Sequence, residues 1–511
     1  MRQRTSQRFP VLLGLLAVLP LGAATAAELP VVRTEQGDVR GLVRDGMVVY
    51  HNLPFASPPV GPLRWRPPQA PQPWSGVRDA TQFGHACAQE KVADFERFPK
   101  GMSEDCLYLN VFKPAQKRPS TALPVMLWIH GGSFRWGSAM DPAFDGRALT
   151  AEGVILVTIN YRLDRFGRFA HPSLREQHAD EPQGNYALMD QLAALQWVQR
   201  NIGRFGGDPR RITIFGCSAG GVSVDFLMSA PQSRGLFAGA IAQSGSIVPE
   251  GERRLSEKVG QTVSLDEDGR RFAAHFDIAE GADTAVRLRA LTAEQVISYP
   301  QKDFSMQPIV DGKVIVDDPA RVFARGEQMR VPFMSGASTY EASLIKPFNL
   351  PLPLVLNGMP LDRARLAYGN IDDPALKDEY FKDSLFMSSA YFLTREMRKV
   401  NQRGYLYEYR YVNEAQRGKA SGAYHCSETP RIFGTTWRGE MASLEDRRMG
   451  DTLRRLWVNF AKSGQPSAPG VPVWAPNEPP APQMMQVQAS PALIENPYAA
   501  RMGLHMERHV R

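Results

Sequence analysis

The sequence predicts an α/β fold with a central, mostly parallel sheet flanked by helices, on three observations. Leu123–Ile129 and Val154–Asn160 are continuous apolar runs of strand length, as expected of strands covered on both faces. Ala187–Arg200 carries Leu188, Leu192, Leu195 and Val198 at helical spacing, so buried strands alternate with helices. The third is Ile212–Ser223, ITIFGCSAGGVS, in which apolar β-formers run into Gly216 and a helical pattern resumes after Ser218 through Val222, Phe226 and Leu227.

Taken in order, the chain begins with a basic MRQRTSQR, a mostly apolar Phe9–Ala24 and small residues through Ala27. This is the pattern of a secretory signal peptide over residues 1–26, cut after Ala26 or Ala27. An uncleaved membrane anchor is the alternative, disfavoured by Pro20 and the short apolar run. No later stretch is long and apolar enough to span a bilayer. The mature protein is therefore expected to have no stable membrane association and to be secreted or periplasmic, where its four cysteines can pair.

Val31–Arg33, Val39–Val43 and Met47–Tyr50, broken at Gly37 and at Asp45-Gly46, read as a small antiparallel sheet. Leu53–Pro68, with six prolines, is an extended segment. Cys87 and Cys106 enclose a polar loop ahead of the strand CLYLNVF, and a disulfide there would contribute ~3 kcal/mol on the chain-entropy model. Leu236–Gln243 and Pro332–Ser335 extend the main sheet, Tyr405–Val412 is a late strand, and Leu453–Phe460 lies in a last helix. Glu250–Leu291 and Asn349–Glu396 read as insertions above the sheet, giving one domain over residues 27–511 with insertions at about 250–300 and 345–400.

Of the 511 residues 43% are apolar, enough to bury a large core, and the net charge of +7 comes from Lys and Arg spread along the chain. With no basic tract, a nucleic-acid partner is not expected. No His, Cys, Asp and Glu cluster has a zinc-like spacing, so neither a metal nor another cofactor is expected. Oligomeric state leaves no signal in the sequence.

The chemistry begins at Ser218. Gly216 and Gly220 flank it in a G-x-S-x-G turn between strand and helix, where a tight, strained bend exposes the serine. A serine hydroxyl needs a histidine to take its proton and an acid to orient that histidine. Glu341, just past the strand PFMSG, and His425, in GAYHCSETPRIFG, follow in the order Ser, acid, His of the α/β-hydrolases. Asp311, in the VDGK turn, is the substitute acid. His130 is expected to brace the glycine turn after Leu123–Ile129 rather than act as a base.

These segments, together with PPVGPLRW, SEDCLYLNVF, HGGSF, NYRL, GNYALMDQLAALQWVQRNIGRFGGDP, GASTYEAS and WVNFAKSGQP, make the chain resemble the type-B carboxylesterase family, which includes the cholinesterases, from about Gly37 to Phe460. The resemblance implies a triad of Ser218, Glu341 and His425 and an oxyanion hole made by the backbone N–H groups of Gly131, Gly132 and Ala219. Glycine suits that role, because it lets main-chain donors approach the developing negative oxygen.

The chain departs from the family at Cys217, where a glutamate usually precedes the serine. Cys426 directly follows His425, and the two dipeptides resemble the tannase and feruloyl-esterase family. A Cys217–Cys426 disulfide is expected, because Ser218 and His425 must come together for catalysis and would bring their neighbours with them. Two free, buried thiols are the alternative. Arg135 and Trp136, after the oxyanion segment, are candidates to line the gorge, with ordinary packing at its rim as the equal alternative; facing the gorge, Arg135 would favour esters carrying a carboxylate.

The expected function is hydrolysis of small-molecule carboxylic esters through an acyl-enzyme. A non-catalytic binding protein on the same scaffold, or an amide or lactone hydrolase, are the competing readings.

Overall fold

The computed structural model describes residues 29–91, 98, 100–115, 121–247, 254–259, 262–300, 306–435 and 441–510. The signal peptide expected at 1–26, and residues 248–253, 260–261 and 301–305 around the first insertion, lie outside them.

In chain order the strands are β1 (Val31–Arg33), β2 (Asp38–Arg40), β3 (Leu42–Arg44), β4 (Met47–Pro54), β5 (Val77–Asp79), β6 (Ala86–Cys87), β7 (Met102–Ser103), β8 (Tyr108–Pro114), β9 (Leu123–Ile129), β10 (Ile155–Ile159), β11 (Gly207–Cys217), β12 (Gly239–Gln243), β13 (Phe333–Ser338), β14 (Gly404–Tyr409), β15 (Gln483–Val487) and β16 (Ala492–Glu495). Eleven of them form one sheet in the order β16-β15-β14-β13-β12-β11-β9-β10-β8-β4-β3. Neighbours from β10 to β15 run parallel, and β8, β4, β3 and β16 join antiparallel at the two edges.

The apolar runs are continuous because successive side chains face different layers. Val125, Leu127 and Ile129 of β9 share a core with Leu188, Leu192, Leu195 and Val198 of the helix Tyr186–Asn201. Met126 and Trp128, the alternate residues, share the opposite core with Leu453, Leu456 and Trp457 of the helix Leu444–Ser463. Because the central strands are parallel, the loops after β9, β11, β12, β13 and β14 gather at one end of the sheet, the end where open α/β sheets bind ligands.

Two expectations are corrected at the termini of the fold. Val39–Val43 is not one strand of a small antiparallel sheet. It divides at Gly41, where a Cβ would sit 2.7 Å from the Tyr50 ring. Before that point β2 pairs antiparallel with β1 and parallel with β5; after it β3 pairs with β4 and forms the edge of the large sheet. The β3–β4 turn is Asp45-Gly46, both at positive φ (50° and 77°), the geometry of a tight two-residue hairpin. Leu444–Ser463 is likewise not the last helix, since β15, β16 and the helix Ala499–Val510 follow it.

Within the expected insertions stand the helices Leu265–His275, Thr284–Ala290 and Ala293–Ser298, and then Leu352–Leu356, Leu361–Tyr368, Asp373–Lys382 and Ser388–Glu396. The last two are joined by a π turn, Asp383–Met387.

Candidate active site

Ser218 sits between β11 and the helix Ala219–Ser229 with φ 58° and ψ −125°, a left-handed conformation that a serine adopts only under tertiary constraint. The constraint is close packing. A Cβ on Gly216 would lie 2.6 Å from both the Gly220 and the Ile129 carbonyl oxygens, and one on Gly220 would overlap the Ile129 carbonyl. The Ser218 N–H donates to the Gln243 carbonyl (2.9 Å), tying the turn to the end of β12. Ala219 opens the helix, so its N–H belongs to the first turn, where no intrahelical acceptor exists.

The glycine turn after β9 lies against this serine. A Cβ on Gly131 would stand 3.2 Å from the Ser218 Cβ, and Gly132 has φ 111°. His130 braces the turn. Its ring stacks on Tyr161 (4.4 Å between centroids, 16° between planes), and its Nδ1 is 2.8 Å from the Gly131 carbonyl. A carbonyl only accepts, so the proton of that bond is on Nδ1. The Tyr161 hydroxyl in turn donates to the His130 carbonyl (2.7 Å).

Glu341, fully buried just beyond β13, accepts from the Ser244 hydroxyl and from the Ser338 N–H, each at 2.6 Å, and its other oxygen pairs with His425 Nδ1. The His425 N–H donates to Ser343 Oγ (3.0 Å), and Tyr340 N–H to the Ala423 carbonyl (2.8 Å), so the acid and histidine loops are laced together. His425 Nε2 is buried without a hydrogen-bond partner. The Ser218–His425 hydrogen bond is therefore not closed in this structure, as is common before substrate binds. Asp311 does not compete for the histidine: its Oδ1 accepts from the N–H groups of Lys313, Val314 and Ile315 within its own turn.

All four cysteines are paired, as Cys87–Cys106 and Cys217–Cys426, with Cα–Cα distances of 4.9 and 6.0 Å. The second bond joins the residue before Ser218 to the residue after His425, and Cys426 is held at φ 61°.

Glu428, Ser244, Ser338 and Asp225 went unnoticed in the sequence. Glu428 is fully buried three residues past His425, and accepts from Gln243 Nε2 (3.2 Å), the Tyr407 hydroxyl (3.4 Å) and the Ser338 hydroxyl (3.4 Å). Burial pushes its carboxyl above the ordinary range and the nearby Glu341 charge adds to this, while the Gln243 amide opposes it. Asp225, on the helix after Ser218, is buried with neither carboxylate oxygen hydrogen-bonded, and burial alone pushes it well above the ordinary range. Each lies in or beside a quoted motif, yet a carboxyl's partners across the sheet leave no mark in its own neighbours.

Two chambers meet at Ser218. The first, about 410 Å³, is walled mainly by Val222, Ile345, Phe348, Phe381, Leu385 and Phe386. The second, about 420 Å³, takes in Gly131, Gly132, Trp136, Tyr424, His425 and Cys426. Trp136 is in the lining of the second chamber, and Arg135 is in neither lining. Its guanidinium lies over the Trp136 ring (4.5 Å) and pairs with Glu90 (3.1 Å) and Asp164 (3.8 Å), which neutralise its charge. Among the described residues no group of three or more His, Cys, Asp or Glu is arranged to hold a metal ion, and no helix is long and apolar enough to cross a membrane.

A serine held on a strand-to-helix bend at the end of such a sheet defines the α/β-hydrolase class. The family model of the carboxylesterase family matches residues 28–355 and 375–504, and the chain belongs to that family. It is 33% identical to carboxylesterase 1C of Rattus norvegicus over 90% of each chain. It is 35% identical to fumonisin B1 esterase of Sphingopyxis macrogoltabida, covering 89% of this chain and 86% of that one. It is 33% identical to para-nitrobenzyl esterase of Bacillus subtilis (strain 168), covering 86% and 91%. A solved structure titled PNB esterase superposes with a TM-score of 0.78 at 29% identity, covering 94% of this chain and 99% of that one. The protein is a serine carboxylic ester hydrolase.

Proposed function

We propose that Ser218 is the nucleophile, His425 the general base and acid, and Glu341 the group that orients and charge-stabilises the imidazole. The observation that carries this reading is the Glu341–His425 pair, which leaves Nε2 unbonded in the chamber that Ser218 also lines. Ser218 Oγ attacks the ester carbonyl carbon and its proton passes to Nε2. The carbonyl oxygen, now negative, is received by the N–H groups of Gly131, Gly132 and Ala219, the last helped by the positive end of its helix. Collapse breaks the bond to the alcohol oxygen, which takes the proton from Nε2 and leaves an acyl-Ser218 ester. Water then gives a proton to Nε2, attacks the acyl carbon and releases the acid, and the proton returns to Ser218. Loss of one oxyanion donor commonly costs about 3 kcal/mol.

The substrate is a small-molecule ester, handled by residues 27–511 as one domain. The two disulfides fit an oxidising compartment. Export to the periplasm or outside the cell, directed by residues 1–26, is the reading this supports.

Hydrolysis of p-nitrophenyl acetate by the mature chain and by Ser218→Ala tests the assignment. The variant should lose roughly 10⁴- to 10⁶-fold in kcat. A variant retaining more than a tenth of the activity would refute the role of Ser218.

A further inference from the structure

The glycine turn after β9 is a strained piece of backbone that other parts of the chain hold in place. It bends back on itself: the Gly132 carbonyl accepts from the N–H groups of Arg135 (2.8 Å) and Trp136 (2.9 Å), and Gly132, Ser133, Phe134 and Gly137 all have positive φ (111°, 55°, 57° and 110°). Ser133 and Phe134 carry side chains, so this conformation persists only where its surroundings fix it. Their carbonyls accept from the N–H groups of Met306 (3.0 Å) and Asp164 (2.7 Å) respectively. The returning end of the turn, at Gly137, is held by Gln89.

Gln89 lies two residues past Cys87, in the segment that the Cys87–Cys106 bond anchors, and is 1% exposed. Its Nε2 donates to the carbonyls of Gly137 (2.9 Å) and Cys87 (2.9 Å), and its Oε1 accepts from the Gly137 N–H (2.9 Å). A primary amide presents a donor and an acceptor side by side, so this one side chain takes both main-chain groups of Gly137. Gly137 in turn is pressed against the start of the turn, where a Cβ on it would lie 2.5 Å from His130 Nδ1 and 2.7 Å from the Gly131 carbonyl oxygen. That carbonyl belongs to the same planar peptide as the Gly132 N–H, so whatever fixes the one aims the other. His130 Nδ1 bonds the carbonyl oxygen (2.8 Å), and Gly137 packs behind it.

We infer that Gln89 is a positioning residue for ester hydrolysis: through Gly137 it aims the Gly132 N–H at the oxygen that becomes negative when Ser218 attacks. The inference rests on the oxyanion hole proposed at Gly131, Gly132 and Ala219. A misaimed donor costs little in binding the ester, whose carbonyl is uncharged, and much in the transition state, where that oxygen carries the charge.

The test pairs kinetics with two ketones of equal chain length, using the full mature chain. A trifluoromethyl ketone undergoes addition: the bond from Ser218 Oγ to the carbonyl carbon forms, the serine proton passes to His425 Nε2, and the carbonyl π pair moves onto oxygen, giving an anion that the turn must stabilise. The matching methyl ketone binds without addition. Gln89→Met, close in size and without the amide, should lower kcat on p-nitrophenyl acetate by about 10- to 100-fold. Its KM should stay within about threefold of the parent. Affinity for the trifluoromethyl ketone should fall by the same factor as kcat/KM, while affinity for the methyl ketone stays at the parent's value. Gln89→Asn keeps the amide but falls one methylene short; it is the milder variant should Gln89→Met not fold, and should show the same selective loss to a smaller degree.

A folded Gln89→Met, or in its place Gln89→Asn, that keeps the parent's ratio of the two ketone affinities overturns the inference. So does equal loss of both affinities, which marks damage to the whole site rather than to the oxyanion turn. If the parent itself binds the two ketones equally, the oxyanion hole beneath the inference is wrong; if the parent discriminates and the Gln89 variants do so equally well, the role of Gln89 alone is.

Discussion

Two clusters of buried charge, one under the π turn and one around Glu341, are built oppositely. Beneath the π turn, Lys382 reaches Glu379 (3.0 Å), Glu408 (3.3 Å) and Asp383 (3.8 Å), Arg501 reaches Glu379 and Asp383 (each 3.1 Å), and Arg410 pairs with Glu408. Cations and carboxylates balance there. Burial works against the Lys382 charge, but Asp383, Glu408 and Glu379 outweigh it and hold its pKa above the ordinary value. Around the proposed active site, Glu341, Glu428 and Asp225 are buried with no Lys or Arg ion-paired to any of them among the described residues. They have hydroxyls, amides, one imidazole or, for Asp225, no bonded partner. Charges that hold the second insertion and the C-terminal helix to β14 are neutralised by partners; near the chemistry Glu341 alone pairs with His425, and burial favours the neutral forms of Glu428 and Asp225. A cation at Glu341 would compete with the imidazolium that forms as Ser218 loses its proton.

On that contrast, removing the Glu341 charge should cost activity and removing a charge under the π turn should cost stability. The largest effect is expected for Glu341→Gln, which keeps the shape and loses the charge. Its kcat/KM should fall about 10⁴-fold, while its thermal midpoint stays near that of the parent. Unfolding of the variant at a much lower temperature would merge the two clusters into one structural class. Next comes Lys382→Met, which strands Asp383 and Glu408 in the interior and should cost about 3–5 kcal/mol in denaturant unfolding. Its kcat/KM, measured where it remains folded, should stay within tenfold of the parent.

The Cys217–Cys426 bond sharpens the point, because it ties the serine bend to the histidine loop without adding charge. Cys217→Ala with Cys426→Ala should lower kcat by roughly 10²-fold through misplacement of Nε2 against Ser218, at temperatures where circular dichroism still shows the native fold. Full activity in the double variant would remove the positioning role.

The smallest effect is a pH dependence. Asp225 is held above its ordinary pKa by burial, so its contribution is intact below the unfolded value of 3.8 and is lost as the pH rises through the higher folded value. Asp225→Asn, which stays neutral, should therefore match the parent at acid pH and exceed its thermal midpoint by about 2 °C or more towards neutral pH. Parallel curves at all pH values would show that Asp225 carries no such penalty.

The local pieces were legible before the structure. The expected Ala187–Arg200 and the observed Tyr186–Asn201 differ by one residue at each end, and Leu123–Ile129 agrees at both ends, because apolar periodicity is written in the residues themselves. The strands β15 and β16 escaped, since Gln483–Val487 follows a proline-rich tract and earns its place only by pairing with β14. Gly41 escaped as a breakpoint because its steric conflict is with Tyr50, across a hairpin. The partners of Arg135 escaped for a related reason: the carboxylates of Glu90 and Asp164 that pair with it come from other parts of the chain.

From sequence alone, then, come the α/β class, the bend at Ser218, the order Ser218, Glu341, His425 and the glycine turn at Gly131-Gly132, because each is set by a few adjacent residues and the backbone conformations they permit. Only the folded chain decides that Ser244, Ser338 and His425 converge on Glu341, that Phe386 packs against the His425 ring, and that Lys382 neutralises one set of carboxylates while another has no Lys or Arg partner among the described residues. Those relations depend on the register of β12, β13 and β14 and on loops that bring together residues as far apart as Cys217 and Cys426. Hydrogen bonding and charge pairing act over a few ångströms of space, and separation along the chain does not measure that distance.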